Sequence, residues 1–211
     1  ANRDISDLRS HAKTLGITKL EFYDVQFVAN NLKSKLYDFN PEVVREYFQL
    51  ERVLEQMFVL YSTLFGITIK KTEMKLWHKE ATFYQINNTK DKALIGYFAL
   101  DLFPREGKFG HACCINLIPH KEVHFMSGDS VAPFSVILCN FPKPSKKGKN
   151  SIPSTISLRD VETLFHEFGH CLHGVLSKAV HDSQSGTNVA RDFVETPSQI
   201  MENWVWNDTM L

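Results

Sequence analysis

The residues best suited to chemistry are His166-Glu167-Phe168-Gly169-His170, in which two histidines stand four positions apart with a glutamate after the first. On an α-helix, side chains at i and i+4 lie on the same face, so both imidazoles can bind one metal ion. Glu167 is rotated aside from that pair, where it can accept a proton from a water molecule at the metal. The motif therefore predicts a zinc site with His166 and His170 as ligands and Glu167 as general base.

The surrounding sequence predicts the helix that this spacing requires. Ser157 and Asp160 stand three positions apart ahead of the motif, which is the spacing of an N-terminal cap with its acidic partner. Apolar residues then recur at helical intervals, at Leu158, Val161, Leu164, Phe165, Phe168, Leu172, Val175 and Leu176. The two histidines would lie beside this buried stripe, as expected for ligands at the floor of a cleft.

A hydrolytic zinc site has three protein ligands and one open position for water. The extended pattern H-E-x-x-H-x-x-G-x-x-H is absent, because His173 stands in place of its glycine and Leu176 in place of its last histidine. The other common third ligand is a glutamate from a second helix, and the glutamates after His170 are Glu195 and Glu202. These two are seven residues apart on nearly the same helical face, so spacing does not choose between them.

Residues 164–177 (LFHEFGHCLHGVLS) and 191–206 (RDFVETPSQIMENWVW) closely resemble the thimet oligopeptidase family of zinc metallopeptidases. Residues 96–114 also resemble the strand and loop that precede the zinc helix in that family. The third ligand of the family is the glutamate of an Asp-Phe-Val-Glu segment, which is Glu195 here. The resemblance thus implies one zinc ion per chain, held by His166, His170 and Glu195, with Glu167 as the catalytic base.

The resemblance further implies a metalloendopeptidase that hydrolyses short oligopeptides through a metal-activated water. The substrate would lie in a deep channel between two largely helical halves. The alternatives are a peptidyl-dipeptidase of the same family and a catalytically silent fragment that binds zinc or peptides. A silent relative has no need of a base beside its ligands, so Glu167 favours the enzyme.

Relatives carry an N-terminal helical region and a C-terminal substrate-binding segment that this sequence lacks. We therefore expect residues 1–211 to form part of one catalytic domain, completed by the remaining segments of a parent enzyme.

Four other side chains are considered for supporting roles. Ligand imidazoles are usually oriented by a carboxylate or carbonyl on the other ring nitrogen. Glu162, one turn before His166, is the first candidate, although a solvated glutamate in the first turn explains it equally well; Glu202 is the weaker one. His173 is not expected to be a ligand, since a fourth protein ligand would close the site. His111 ends a glycine-containing loop that more simply marks a turn than a substrate contact.

The composition favours an intracellular enzyme domain with neither nucleic-acid nor membrane partners. Lys plus Arg and Asp plus Glu both number 24, and 43% of residues are hydrophobic, which suffices for a sizeable core. No apolar run reaches the roughly 20 residues that span a bilayer, and the N-terminus lacks a secretory-signal pattern. We expect a cytoplasmic protein, with a mitochondrial location as the alternative.

Two further sets of residues have structural interpretations. A basic run with few aromatic neighbours predicts a solvated loop; it contains Lys143, Lys146, Lys147 and Lys149. The cysteines show no C-x-x-C spacing and lie in apolar runs, which predicts reduced, buried thiols at Cys113, Cys114, Cys139 and Cys171.

The sequence pattern predicts an α+β fold that is mainly helical, with a small mixed sheet whose edge strand flanks the cleft. Helices are predicted near 22–37 and 41–65, and short strands at 81–86, 93–102, 113–118 and 135–140. The motif helix follows, and then a second helix with Pro197 in its first turn. The resemblance implies that this arrangement is a zincin-type core with two zinc-ligand helices.

Overall fold

The computed structural model describes residues 2–38, 40–122, 130–147 and 150–207, and the chain divides into two compact units, residues 1–44 and 45–211. The first unit contains α1 (Asn2–Thr14) and α2 (Val25–Tyr37), which pack together with Ala12 and Val28 buried. A 3₁₀ turn (Phe22–Asp24) precedes α2. The helix predicted near 22–37 is confirmed, whereas α1 was not predicted.

The prediction of one helix over 41–65 is wrong, because the chain forms two helices there, α3 (Pro41–Arg45) and α4 (Leu50–Phe65), separated by residues 46–49. Between them the backbone bonds to the segment ahead of the motif helix. Gln49 forms an antiparallel bridge with Thr155, and the Ile156 N–H donates to the Phe48 carbonyl. These bonds satisfy backbone groups that a continuous helix would have used itself.

The second unit is built on a mixed five-stranded sheet. Its strands are β1 (Ile67–Thr72), β2 (Thr82–Asn88), β3 (Leu94–Asp101), β4 (Cys113–Ile118) and β7 (Phe134–Leu138), in the order β1-β2-β3-β7-β4. β3 and β7 are parallel, and the other neighbours are antiparallel. The four predicted strands and the mixed sheet are confirmed, β1 was missed, and β4 lies at an edge.

Two short hairpins complete the strands, β5 (Lys121–Glu122) with β6 (Ser130–Val131) and β8 (Ser145–Lys147) with β9 (Asn150–Ile152). The second hairpin lies in the basic segment, so the prediction of a simple loop there is wrong; Lys149 itself lies outside the described residues. Lys143 and Lys146 are exposed, as expected for a solvated segment.

The motif helix, α5 (Leu158–Val175), begins with the predicted cap. The Asp160 N–H donates to Ser157 Oγ over 3.2 Å, and the Ser157 N–H donates to Asp160 Oδ2 over 2.9 Å. The buried face of α5 packs against the sheet and contacts α4. Phe168 stacks on Tyr61 of α4, with ring centroids 5.1 Å apart, and meets Phe98 of β3 edge-on at 5.2 Å. The apolar stripe therefore holds α5 in one rotation about its axis.

A short helix, α6 (Thr196–Glu202), packs on α5 and continues into a 3₁₀ turn (Asn203–Trp206). Pro197 lies in the first turn of α6, as predicted. Cys139 and Cys171 are buried and Cys113 and Cys114 half-buried, all four as free thiols, so the predicted burial holds for two of them. Among the described residues, no helix has the length and apolar character needed to cross a membrane.

A buried ionic cluster fixes the loop that leads from β3 to β4. The Asp101 carboxylate, 1% exposed, accepts bonds from Trp77 Nε1 at 2.9 Å, from both terminal nitrogens of Arg105 at 2.7 Å, and from Lys108 Nζ at 3.0 Å. Lys108 Nζ also donates to three backbone carbonyls. Burial alone would raise the pKa of the Asp101 carboxyl, but these donors hold its pKa well below the usual range.

Replacing Asp101 should therefore destabilise the fold, and the loss should depend on pH. Asp101→Asn leaves the Lys108 ammonium, 3% exposed, without its charge partner, so we expect the free energy of unfolding at pH 7 to fall by about 3–5 kcal/mol. Because the folded pKa is depressed, the wild-type contribution is complete above the unfolded pKa of about 3.9 and is lost as pH falls below it. Urea unfolding at pH 7 and at pH 3 should show the difference shrinking.

The control is Glu106→Gln, an exposed glutamate in the same loop, which should change neither value. A loss below about 1 kcal/mol at pH 7 for Asp101→Asn, or an equal loss at both pH values, would contradict the assigned role of the cluster.

Candidate metal centre

The structure brings three predicted ligand residues together in the second unit. His166 and His170 lie one turn apart on α5, and their rings are 4.8 Å apart at 85°. Glu195 arrives from the segment before α6, and its Oε2 lies 3.3 Å from His166 Nε2 and 3.1 Å from His170 Nε2. One carboxylate oxygen therefore faces both imidazole nitrogens.

The spacing of these three ligand atoms fits one zinc ion. All three lie within 4.8 Å of one another, and no other group of at least three His, Cys, Asp or Glu side chains in the described part of the chain meets that condition. Two ligand atoms that are each about 2.1 Å from a tetrahedral zinc ion stand about 3.4 Å apart. The observed separations of 3.1 and 3.3 Å are close to that value. Two nitrogens and one oxygen also match the donor set of hydrolytic zinc sites.

Glu195 is not inside the second helix, because it occupies the N-cap position of α6. Ser198, fully buried in the first turn, donates from its hydroxyl to the Glu195 carbonyl at 2.8 Å and to Glu195 Oε2 at 3.0 Å. The expectation that the third ligand lies within a helix is thus wrong by one position. The helix start orients the carboxylate even though the side chain is half-exposed.

Gly169, inside the motif, permits α6 to approach α5. A Cβ atom at this position would lie 2.6 Å from Ser198 Cα and 3.2 Å from the Pro197 carbonyl oxygen. Real Cβ atoms do not come this close to backbone, so any side chain at 169 would push α6 away. This role of Gly169 was not predicted, although a glycine inside a strongly predicted helix is a known sign of close approach.

Glu167 is almost fully buried, at 7% exposure, on the helix that packs against the edge strand β4. Burial raises the pKa of its carboxyl above the usual range and the negative charge of Glu195 acts in the same direction, while His166 and a hydrogen bond from the Cys114 backbone N–H oppose the shift. The carboxylate is therefore a stronger base than a surface glutamate, and it follows the candidate ligand His166 on the same helix.

The half-buried ring of His170 is electrostatically suited to ligation. Burial lowers the pKa of its imidazole below the usual value. The neutral ring, which is the form that binds metal, is therefore favoured at neutral pH.

Of the two glutamates considered as partners of a ligand histidine, Glu202 contacts His166 and Glu162 does not. His166 Nδ1 lies 2.6 Å from Glu202 Oε1, whereas Glu162 Oε1 accepts a hydrogen bond from Trp206 Nε1 at 2.9 Å. The preference for Glu162 as the partner of His166 is therefore wrong. The α6 helix and the 3₁₀ turn after it place Glu202 opposite the ring, and their position cannot be deduced from spacing along α5.

The other two histidines lie outside the three-residue group. His173 is half-buried, with its ring 6.4 Å from that of Phe193, and burial lowers the pKa of its imidazole. His111 is exposed, and its ring lies 5.4 Å from that of Phe109. Neither has a ligand atom in the candidate centre.

The known proteins that this chain resembles are peptidases. The model of peptidase family M3 matches residues 1–211. A thimet-like oligopeptidase of Dictyostelium discoideum is 40% identical over 193 residues, which are 90% of this chain and 28% of the relative. Two Arabidopsis thaliana proteins are each 34% identical over 220 residues and match the whole chain. One is the chloroplastic/mitochondrial organellar oligopeptidase A, covered to 27%, and the other a probable cytosolic oligopeptidase A, covered to 31%. The chain thus spans less than a third of the length of these relatives.

The role of Gly169 can be tested without metal. Alanine has a helix propensity about 1 kcal/mol better than glycine, so Gly169→Ala would stabilise an unconstrained helix. We expect the opposite, a fall of about 1–3 kcal/mol in the free energy of unfolding of the metal-free chain, because the new methyl group clashes with Ser198. Denaturant unfolding measures the change.

The matched control is Gly110→Ala, where an added Cβ meets nothing within 4 Å and no positive φ is involved. A Gly169→Ala chain as stable as the wild type, or more stable, would show that α6 does not depend on this contact.

Proposed function

Because the chain belongs to peptidase family M3, we propose that it is the catalytic part of a zinc-dependent metalloendopeptidase acting on short oligopeptides. His166, His170 and Glu195 are the proposed zinc ligands, and Glu167 is the proposed general base. The observation that carries the proposal is that these three ligand atoms converge within 4.8 Å beside a buried carboxylate. A structural helix has no need for such an arrangement.

The chain's own residues have separate tasks in the proposed hydrolysis. Zinc, when bound, would supply a Lewis acid that polarises a peptide carbonyl and makes a nearby water molecule more acidic. Glu167 accepts a proton from the attacking water and passes it to the departing amine. The raised pKa of the Glu167 carboxyl strengthens it as a base, but the carboxylate must be ionised to act. As the pH is lowered, activity should therefore be lost at a higher pH than it would be with an unperturbed glutamate.

The edge strand β4 supports a peptide as the substrate. In the described part of the chain β4 pairs with β7 on one side and with no strand on the other. Extended peptides commonly bind by adding to such an edge through main-chain hydrogen bonds. Because α5, which carries Glu167, packs against β4, a peptide lying along this edge would run beside the helix that carries the base.

The extent and location of the whole enzyme are part of the proposal. The relatives named as oligopeptidases are more than three times as long as this chain, so we propose that further segments complete a substrate channel. The matched relatives are named oligopeptidases, which supports oligopeptides as the substrate class, and a peptidyl-dipeptidase is the alternative. Relatives described as cytosolic and as organellar support a cytoplasmic location, with a mitochondrial one as the alternative.

The test compares the wild type with Glu167→Gln and Glu195→Gln. We expect one zinc ion per wild-type chain by elemental analysis and chelator-sensitive cleavage of a quenched fluorescent peptide. Glu167→Gln should retain zinc but lose at least about a hundred-fold in turnover, because only the base is removed. Glu195→Gln should lose both zinc and cleavage, because a ligand is removed.

Glu55→Gln, an exposed glutamate on α4, is the control and should match the wild type in both measurements. Wild-type zinc without cleavage would mean a complete metal site in a chain that does not cleave peptides without the further segments. Absence of zinc, or wild-type cleavage by Glu167→Gln, would contradict the proposed centre.

A further inference from the structure

The two histidines of the candidate centre differ in what their second ring nitrogen meets. Both direct Nε2 at Glu195 Oε2. His166 Nδ1 lies 2.6 Å from Glu202 Oε1, whereas His170 Nδ1 is buried and has no hydrogen-bond partner among the described residues. Only the His166 ring is therefore held by side chains at both of its nitrogens.

The chemistry of ligation gives the Glu202 contact a specific consequence. A metal ligated at Nε2 requires the lone pair there, so the ring proton must lie on Nδ1. A carboxylate that accepts this proton in a hydrogen bond selects the correct tautomer, fixes the ring's rotation and makes the imidazole a better donor to the metal. Glu202 is at the right place and distance to do all three for His166.

We propose that Glu202 is a positioning residue of the metal centre, which holds His166 in the Nδ1–H tautomer for zinc. The inference rests on the proposed function, because it requires that His166 bind a metal. Glu202 touches neither substrate nor metal in this role and acts only through the His166 ring.

The fold delivers both carboxylates from one short element. Glu195 occupies the N-cap position of α6 and Glu202 is the last residue of the helix, so a seven-residue spacing places them two turns apart on nearly one face. Spacing along the sequence could not distinguish a metal ligand from a residue that positions a ligand. The structure separates them, because Glu195 meets Nε2 of both histidines and Glu202 meets Nδ1 of one.

The backbone of Glu202 is held independently of its side chain. The 3₁₀ turn that follows buries Val205, at 3% exposure, and the Asn203 N–H donates to the Ile200 and Met201 carbonyls. The His166 and Glu202 side chains are 25% and 39% exposed, and a solvated pair of this kind contributes little to folding. Zinc affinity and fold stability should therefore respond differently to loss of the Glu202 carboxylate.

The experiment uses Glu202→Ala, Glu202→Gln and the control Glu162→Ala in the full 211-residue chain. Glu162 is a matched control because it also accepts a bond between α5 and the α6 segment, but from Trp206 and not from a histidine. Zinc dissociation constants are measured by competition with a chromophoric chelator, and melting temperatures are measured without metal. We expect Glu202→Ala to weaken zinc binding about 10- to 100-fold with the metal-free melting temperature unchanged.

Glu202→Gln keeps an acceptor oxygen but not the charge, so its affinity should lie between those of Glu202→Ala and the wild type. Glu162→Ala should bind zinc as the wild type does.

Wild-type zinc affinity in Glu202→Ala, or an equal loss of affinity in Glu162→Ala, would overturn the positioning role while leaving the proposed function intact. A fall in the metal-free melting temperature that accounts for the affinity loss would mark the bond as merely structural and overturn the role as well. If the wild type bound no zinc, both proposals would fail together.

Discussion

The close approach of α6 to Gly169 of α5 is the packing constraint on which the candidate metal centre depends. A helix carries two ligands one turn apart by its own geometry, but the third must come from elsewhere and reach the same point within about 3.4 Å. That requires the α6 backbone to lie nearer to α5 than any side chain at 169 would permit. Ser198 then fills the space that the glycine leaves and bonds to Glu195, so one contact sets both the distance and the orientation of the third candidate ligand.

The same helix must also keep ionisable groups at the edge of an apolar core. Burying the Glu167 carboxylate and half-burying the His170 ring costs free energy, because burial disfavours the charged form of each group. Apolar contacts on the opposite side of α5 offset the cost, with Leu164, Phe168 and Val175 fully buried among residues of the main hydrophobic core. Each such side chain contributes about 1.5–3 kcal/mol, which is enough to prevent α5 from turning its polar face outward. Perturbed pKa values at the site are thus a consequence of how firmly the core holds the helix.

Periodicity and capping predicted the elements well, because they depend on neighbours within a few positions. The motif helix, its Ser157 cap and four strands followed from such local patterns. What could not be predicted depends on contacts between distant segments. The break between α3 and α4 exists because the backbone of Phe48 and Leu50 bonds to that of the segment ahead of α5. The partner of His166 is Glu202 because α6 folds back along α5. Gly169 was a missed local sign, since a glycine within a strong helix indicates close approach.

X-ray absorption at the zinc edge tests the central claim most directly, because it identifies the atoms around the metal without relying on activity. The zinc-loaded chain should show only nitrogen and oxygen neighbours at about 2.0–2.1 Å, with the multiple scattering typical of two imidazoles. A sulfur shell at about 2.3 Å would contradict the account, because it would place zinc on thiols such as Cys114 and Cys171, which are free here, instead of on His166, His170 and Glu195.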